Sequence, residues 1–380
     1  MKTYPLFKVH VSTDAALENI REVFESGFIN EGTQVTKLTE ELKHVLGSEN
    51  LILVNSCTSA ITLALRLAGV GPGDDVVSTS MTCVASNTPI ATAGANIVWA
   101  DIDPNTGMMT ADTIHRALTS KTKAVIVVAW AGTPPDLEEI HRLCHNKNIK
   151  VILDAAHAFG ARFKGIPVHG WADYTCYSFQ AIKHFTTGDG GALVCANPNH
   201  HDRAKALKWF GLDRDKTKDE KGNWKGQQWD TDVVEAGYKF NMNNVAAAIG
   251  LSQLPHIEKI IEAHCVNALM YNTLFEQESV GICPTHKDPQ AQGTSWVYTV
   301  LLDDPSKRDR VLKALNDEGI LAGLVHVPND SYTAFTSYRS DLPGVRDFAS
   351  RQLSLPCGWW LEGKDIVHIY GRLMYHLNHL

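Results

Sequence analysis

The sequence predicts an α/β protein with a large domain built on a mostly parallel, seven-stranded sheet and a smaller C-terminal α+β domain. Short apolar runs alternate with helical patterns through the first two thirds of the chain, as is typical of parallel strands joined by helices. This alternation ends near residue 255, where a long helical pattern begins. We therefore expect a large domain over residues 1–255 and a small domain over residues 256–380, which suits a chain of 380 residues.

Each element is predicted from its apolar pattern. Two amphipathic helices open the chain, because apolar residues recur there at three- and four-residue steps. They lie at 15–26 and 35–46. Seven short apolar runs predict the strands of the sheet: 51–54, 75–78, 96–100, 124–129, 151–153, 174–178 and 191–195. Further helices are predicted at 60–67, 135–146 and 307–317, and a strand of the small domain at 296–302.

Composition narrows the class of function. The chain has 35 basic and 42 acidic residues, a net charge of −7, which disfavours a surface for nucleic acid. No apolar run is long enough to span a bilayer, and the N-terminus lacks the apolar segment of a signal peptide, so we expect a cytoplasmic protein. The eight cysteines form no C-x-x-C pair and the 17 histidines no H-E-x-x-H motif, so we expect no metal site.

The first chemical candidate is Asp154, which ends an apolar strand and begins the segment D-A-A-H-A-F-G. Ligands gather at the carboxyl ends of parallel strands, where an acidic side chain can face a buried cationic partner. The alternative is that Asp154 only caps the helix that follows.

The second candidate is Lys183, in the segment S-F-Q-A-I-K-H-F-T-T-G-D-G-G over 178–191. Desolvation in such a turn lowers the pKa of a lysine and makes its amine a usable nucleophile. Ser178 can donate to a phosphate, and the glycines allow the backbone to approach a ligand closely. The polar turn 55–59 opens a helix whose N–H groups suit the same phosphate. The alternative is a surface lysine in a flexible hairpin.

Taken in this order along one chain, these segments resemble the nucleotide-sugar aminotransferases of the DegT/StrS family, which have the pyridoxal 5′-phosphate (PLP) fold type I. The resemblance covers essentially the whole chain. It is closest in D-A-A-H at 154–157 and over 178–191, and it extends to N-S-C-T-S-A at 55–60 and to G-Y-K-F-N-M at 237–242.

The resemblance implies roles for individual residues. Lys183 would be the Schiff-base lysine and proton shuttle, Asp154 would pair with the pyridine nitrogen, and His157 would lie near the ring or its phenolic oxygen. The phosphate would be bound by Thr58, Ser59 and Ser178.

Two further residues imply a partner subunit. In the family, the segment around Lys239 and Asn241 reaches the phosphate of the neighbouring subunit, so a homodimer is expected. Lys239 is itself a departure, because many members have Asn there. A second departure is Cys83, at a position where the family usually carries an aromatic residue that stacks on the PLP ring. We therefore expect altered ring stacking beside Cys83, with His157 covering one face.

The implied reaction moves an amino group from an amino acid, L-glutamate by family habit, to the keto group of a nucleotide-linked deoxysugar, with pyridoxamine phosphate (PMP) as the intermediate. Candidates for substrate binding are Arg214, which opens the polar segment 213–229, and His326 and Tyr332 in the small domain. The alternative for His326 is a structural histidine. The alternative for the segment 213–229 is a plain surface insertion.

Three other functions stay open from the sequence. One is transfer to another keto sugar or to a cyclitol ketone. Another is a catalytically silent relative that only binds a ligand. The third is a PLP-dependent sugar dehydratase, in which a histidine replaces the Schiff-base lysine, and Lys183 argues against it.

Overall fold

The computed structural model describes residues 2–213, 232–277 and 280–380. The helices in the described part of the chain are α1 (Thr13–Ser26), α2 (Thr33–Leu46), α3 (Cys57–Leu67), α4 (Val84–Thr92), α5 (Ala111–Ala117), α6 (Leu137–His145), α7 (Pro198–Leu207), α8 (Asn244–Gln253), α9 (Ile257–Gln277), α10 (Arg308–Asp317), α11 (Pro343–Arg351) and α12 (Gly363–His379). None of these helices is long and apolar enough to cross a membrane.

The strands are β1 (Leu51–Val54), β2 (Asp75–Ser78), β3 (Asn96–Trp99), β4 (Thr122–Val128), β5 (Lys150–Asp154), β6 (Arg162–Phe163), β7 (Ile166–Pro167), β8 (Tyr174–Ser178), β9 (Gly191–Cys195), β10 (Ile282–Pro284), β11 (Ala291–Gln292), β12 (Tyr298–Leu302) and β13 (Gln352–Leu355). Seven of them form the central sheet in the order β1-β9-β8-β5-β4-β2-β3. Only β9 runs against its neighbours, so the sheet is mostly parallel, as predicted.

The central strands are buried along almost their whole length, because helices cover the sheet. The parallel strands β4, β5 and β8 end at one edge, with Asp154 at the end of β5 and Ser178 at the end of β8. The helix α3 follows β1 at this same edge, as expected for strands joined by helices. This edge therefore collects the residues that the sequence singled out.

A second, antiparallel sheet of β10, β12 and β13 lies in the C-terminal part of the chain. It shares a hydrophobic core with α9, α10 and α12. Tyr4 also belongs to that core and bridges Ile320, so the N-terminal residues reach the C-terminal sheet. The domain boundary at residues 255 and 256 stays a prediction.

Two predicted boundaries were wrong for identifiable reasons. The helix predicted from residue 60 begins at Cys57, because the side chain of Ser56 accepts a hydrogen bond from the backbone N–H of Ser59 and caps the first turn. The strand predicted from residue 296 begins at Tyr298, so Trp296 and Val297 lie outside the sheet. The residue before them, Ser295, has φ 48°, a left-handed conformation that interrupts an extended strand.

Candidate active site

A cavity of about 400 Å³ lies at the edge where β5 and β8 end and α3 begins. This volume falls in the range of small-molecule sites in proteins. Seven predicted site residues line it: Thr58, Cys83, Asp154, His157, Ser178, Lys183 and His326. The fold thus brings together residues from distant parts of the sequence around one cavity.

Asp154 is a buried carboxylate held by two donors. Its Oδ2 accepts a 2.6 Å hydrogen bond from the hydroxyl of Ser86, and its Oδ1 accepts one of 3.0 Å from the backbone N–H of Ala156. Burial raises the pKa of Asp154, and these two hydrogen bonds and the charge of Lys183 oppose that rise. A carboxylate at this depth suits a cationic partner, although the Ala156 bond shows that Asp154 also fixes the turn after β5.

Lys183 is half-buried and its side chain lines the cavity, which rules out the surface hairpin. Its Nζ atom lies 3.7 Å from the ring centroid of Trp296. Burial lowers the pKa of Lys183 to about 8, with Asp154 acting in the opposite direction. The amine is therefore partly neutral near pH 8, the form that attacks a carbonyl group.

His157 is buried, and its ring stacks on Trp296 with centroids 3.9 Å apart. The ring of His326 runs nearly parallel to it at 5.4 Å. At least one face of His157 is thus already in contact with another ring, which differs from the expectation that this ring covers a cofactor. Burial lowers the pKa of His157 well below its usual value, and its Nδ1 has no hydrogen-bond partner among the described residues. A buried polar atom of this kind is suited to a ligand contact.

The first turn of α3 forms a polar cradle beside Ser178. Thr58 lies in that turn, and both residues line the cavity. The backbone of Gly191 packs so closely against this turn that a Cβ atom there would lie 2.7 Å from the backbone nitrogen of Cys57. Free N–H groups at a helix start favour an anion such as a phosphate.

Ser59 does not line the cavity. Its hydroxyl donates to Oδ1 of Asn55 at 2.7 Å instead, so it supports the turn from within.

The remaining predicted residues lie elsewhere. Lys239 donates to Oδ1 of Asn241 at 2.6 Å, and its Nζ lies 3.7 Å from the ring centroid of Trp209. Neither Lys239 nor Asn241 lines the cavity. Tyr332 is 42% exposed and also lies outside the lining. Arg214 and almost all of the segment 213–229 lie outside the described residues.

Sequence reasoning missed several residues at the site. Trp296 was assigned to a strand, and Ser86 was given no role. Gln180 and Asp189 also line the cavity, and both lie inside the glycine-containing segment that holds Lys183. A polar residue within a few positions of a candidate nucleophile was a usable signal for these two. No local signal pointed to Trp296.

The described residues contain no group of three or more His, Cys, Asp or Glu side chains arranged to hold a metal ion. Fold and cavity instead define a class: an α/β enzyme of PLP fold type I, with a buried carboxylate and an amine of lowered pKa facing one site.

Comparisons with known proteins agree with this class. The model of the DegT/DnrJ/EryC1/StrS aminotransferase family matches residues 11–374. The spore coat polysaccharide biosynthesis protein SpsC of Bacillus subtilis is 32% identical over 350 residues, which are 90% of this chain and 88% of SpsC. The chain therefore belongs to the DegT/DnrJ/EryC1/StrS aminotransferase family, and it is a PLP-dependent sugar aminotransferase by class.

Solved structures support the same conclusion. The sugar aminotransferase CalS13 from Micromonospora echinospora has a TM-score of 0.89 and 31% identity, over 97% of this chain and 99% of CalS13. Spr1654 from Streptococcus pneumoniae, solved in a PLP form and a PMP form, is 26% identical. Its PLP form has a TM-score of 0.90 and covers all of both chains. The predicted family and fold type are confirmed.

Proposed function

We propose that this enzyme transfers an amino group from L-glutamate to the keto group of a nucleotide-linked deoxysugar, with PLP as the cofactor. The observation that carries the proposal is the presence of Asp154 and Lys183 on the walls of one cavity. A cationic heteroaromatic ring needs an anionic partner, and a carbonyl group needs an amine. The cavity offers both.

The residues present fit PLP at each of its polar groups. The buried Asp154 would hold the pyridine nitrogen, and the unpartnered Nδ1 of His157 would meet an oxygen of the ring. The start of α3, with Thr58, and the hydroxyl of Ser178 would hold the phosphate. Lys183 would bind the carbonyl carbon through its amine. When bound, PLP supplies a conjugated ring that accepts the electron pair released at the donor's α carbon.

The side chains then divide the work of proton transfer. Lys183, once its amine is free, takes a proton from the α carbon of the amino donor. In the second half of the transfer it donates a proton to the acceptor carbon that receives the amino group. Asp154 stays ionised and so keeps a proton on the pyridine nitrogen. His157 is neutral near pH 7, because burial lowers its pKa, and it can hold a hydrogen bond at the ring.

We also propose that the enzyme works as a homodimer with shared sites. Lys239 and Asn241 lie off the cavity of their own chain, and Asn241 donates to Oδ1 of Asn30 at 3.1 Å. The two residues before Asn30, Phe28 and Ile29, are 52% and 51% exposed. Large exposed apolar side chains beside a candidate anion-binding pair are consistent with a second copy packing there.

The shared site can be tested by mixing two inactive variants, Lys183→Ala and Asn241→Ala. If each site takes residues from both subunits, a mixed dimer holds one intact site, so a fully exchanged equimolar mixture recovers about a quarter of the wild-type activity. A dimer of two copies of the same variant has no intact site and recovers no activity. Failure to recover activity although mass spectrometry detects mixed dimers would rule out sharing.

The first test of the cofactor is an absorbance spectrum with added PLP, before and after borohydride reduction, followed by peptide mapping. A visible band that reduction converts to a phosphopyridoxyl adduct on Lys183 supports the proposal. Absence of both the band and the adduct contradicts it. The variant Lys183→Arg keeps the charge but not the nucleophile, so it serves as the matched control.

The substrates need a separate test. One equivalent of L-glutamate should convert the bound cofactor to the PMP form, whereas a silent binding protein leaves it unchanged. The PMP form is then offered nucleotide-linked keto sugars, free keto sugars and cyclitol ketones. Return of the PLP spectrum only with the nucleotide-linked compounds supports the proposed acceptor.

We further propose a cytoplasmic location, because all eight cysteines are free thiols.

A further inference from the structure

We propose that Trp296 is the resting place of the Lys183 amine whenever that amine is not bound to a cofactor, and that the indole keeps the amine apart from Asp154. Trp296 would thus be a positioning residue. This role rests on the proposed function, because only a lysine that binds and leaves a cofactor needs such a place.

The contact itself is close. The Nζ atom of Lys183 lies 3.7 Å from the ring centroid of Trp296. Within the described residues, Lys183 makes no ion pair, although Asp154 lines the same cavity and acts on its charge. A desolvated ammonium is attracted to the face of an indole, whereas Asp154 already accepts hydrogen bonds from Ser86 and Ala156.

Trp296 is held in place from several sides. Its indole N–H donates to the carbonyl oxygen of Ile182 at 2.9 Å, which ties it to the residue before the lysine. Its backbone N–H donates to the carbonyl oxygen of Ala131, also at 2.9 Å. The rings of His157 and Phe7 stack on the indole, with centroids 3.9 Å and 4.7 Å away. The indole is therefore preorganised and does not depend on the lysine for its position.

The chain accepts backbone strain at this point. Ser295 has φ 48°, a left-handed conformation that non-glycine residues seldom adopt. Its carbonyl oxygen accepts a hydrogen bond of 3.2 Å from the thiol of Cys357 and lies 3.1 Å from Nδ1 of His264. Strain that is over-determined by its surroundings is common at functional sites, and here it stands next to Trp296, which lines the cavity.

Separation from Asp154 has a chemical purpose. An ammonium that paired with Asp154 would compete with the pyridine nitrogen for the same carboxylate. A π face attracts the ammonium without neutralising Asp154. The titratable groups whose charges interact with that of the Lys183 amine are Asp154, His157, His184, His326, Cys57 and Cys83.

The test measures the pKa of Lys183 in the cofactor-free protein. Trace acetic anhydride labels amines in proportion to their neutral fraction, and peptide mapping reads the labelling of Lys183 against pH. We expect Trp296→Leu to lower the pKa by about one unit, because the ammonium loses its π face and has only the less favourable place beside Asp154. Trp296→Phe keeps an aromatic face and should titrate within a few tenths of a unit of the wild type.

A double variant isolates the cause. In an Asp154→Asn background, Trp296→Leu should lower the pKa of Lys183 further, because the π face is lost and no carboxylate is left to take the released ammonium. Trp99→Phe, which alters another buried indole far along the chain, is the matched control and should leave the titration unchanged. Thermal unfolding confirms that each variant is folded, and Trp296→Met, which also lacks an aromatic face, serves if the leucine variant is not.

The outcomes separate this proposal from the function on which it rests. A pKa of Lys183 that is unchanged or raised in Trp296→Leu overturns the role of Trp296, even if PLP still binds Lys183. A protein that gives the expected titrations but forms no adduct with PLP overturns the function instead.

Discussion

The hydroxyl of Ser86 donates a 2.6 Å hydrogen bond to Oδ2 of Asp154, across 68 positions of the sequence. Ser86 is buried in α4, where its own hydroxyl lies 2.9 Å from that of Thr82. The hydrogen bond favours the ionised form of Asp154 against the effect of burial, which raises the pKa of this carboxyl group. The charge on which the proposed cofactor site depends is therefore maintained by a residue outside the D-A-A-H segment.

The variant Ser86→Ala should shift the acidic limb of the pH profile upward. A hydrogen bond to a charged group contributes about 1.5–3 kcal/mol, so its loss should raise the pKa of Asp154 by about one to two units. Activity then falls first at acidic pH and recovers as the pH rises. The measurement is kcat/KM against pH. Thr88→Val on the exposed side of the same helix is the control, and equal profiles for the two variants would refute the role of Ser86.

The variant Asp154→Asn should lower turnover by about 10²- to 10⁴-fold, because the pyridine nitrogen loses its anionic partner while the side chain keeps its size. PLP should still bind, so the absorbance spectrum separates loss of chemistry from loss of cofactor. The decisive measurement is the single-turnover rate with L-glutamate. A rate equal to that of the wild type would exclude Asp154 from this role.

The variant Lys183→Met should stabilise the cofactor-free protein near pH 7. In the folded state the pKa of Lys183 is about 8, below its ordinary value of 10.5, so below pH 8 the fold carries a buried charge at a cost. That cost is at most about 3 kcal/mol. The wild type regains stability as the pH rises from 8 to 10.5, and the difference between the proteins shrinks.

Urea unfolding of both proteins at pH 7, 9 and 10 measures this difference in the free energy of unfolding. Lys164→Met, at an exposed lysine paired with Glu138, is the control and should show no comparable gain. A Lys183→Met gain that does not change between pH 7 and pH 10 would contradict the lowered pKa.

The variant Cys83→Phe should change the absorbance spectrum of bound PLP. Cys83 lines the cavity, and an aromatic side chain there would restore the ring contact that the family usually has. Cys83→Ser, which keeps the size and adds no ring, should leave the band in place. If Cys83→Phe binds PLP with an unshifted band, the residue lies away from the ring.

The elements were predictable where local pattern decides them. The strands β1, β2, β8 and β9 were predicted to the residue, because each is buried along its whole length and its apolar residues stand between polar or glycine-containing turns. The start of α3 was missed by three residues, since Ser, Cys and Thr read as a turn until the capping bond from the N–H of Ser59 to Ser56 is known. A side chain that serves as a cap looks like a loop residue in the sequence.

The candidate site divides in the same way. The local composition around Asp154 and Lys183 identified both, and the resemblance to a family gave them roles that remain proposals. The stacking of His157 on Trp296 was not predictable, because His157 follows a strand of one sheet, Trp296 precedes a strand of another, and nothing in either segment indicates the other.

The sequence by itself determined the order of strands and helices, the mostly parallel sheet, and the local segments that carry the lysine and the carboxylate. Tertiary structure alone decided that Ser86 meets Asp154 and that Trp296 lies over Lys183. The reason is physical: burial patterns and turns are set by neighbouring residues in the chain. Contacts between distant residues depend instead on the order in which the strands lie side by side in the sheet and on how the helices pack over it.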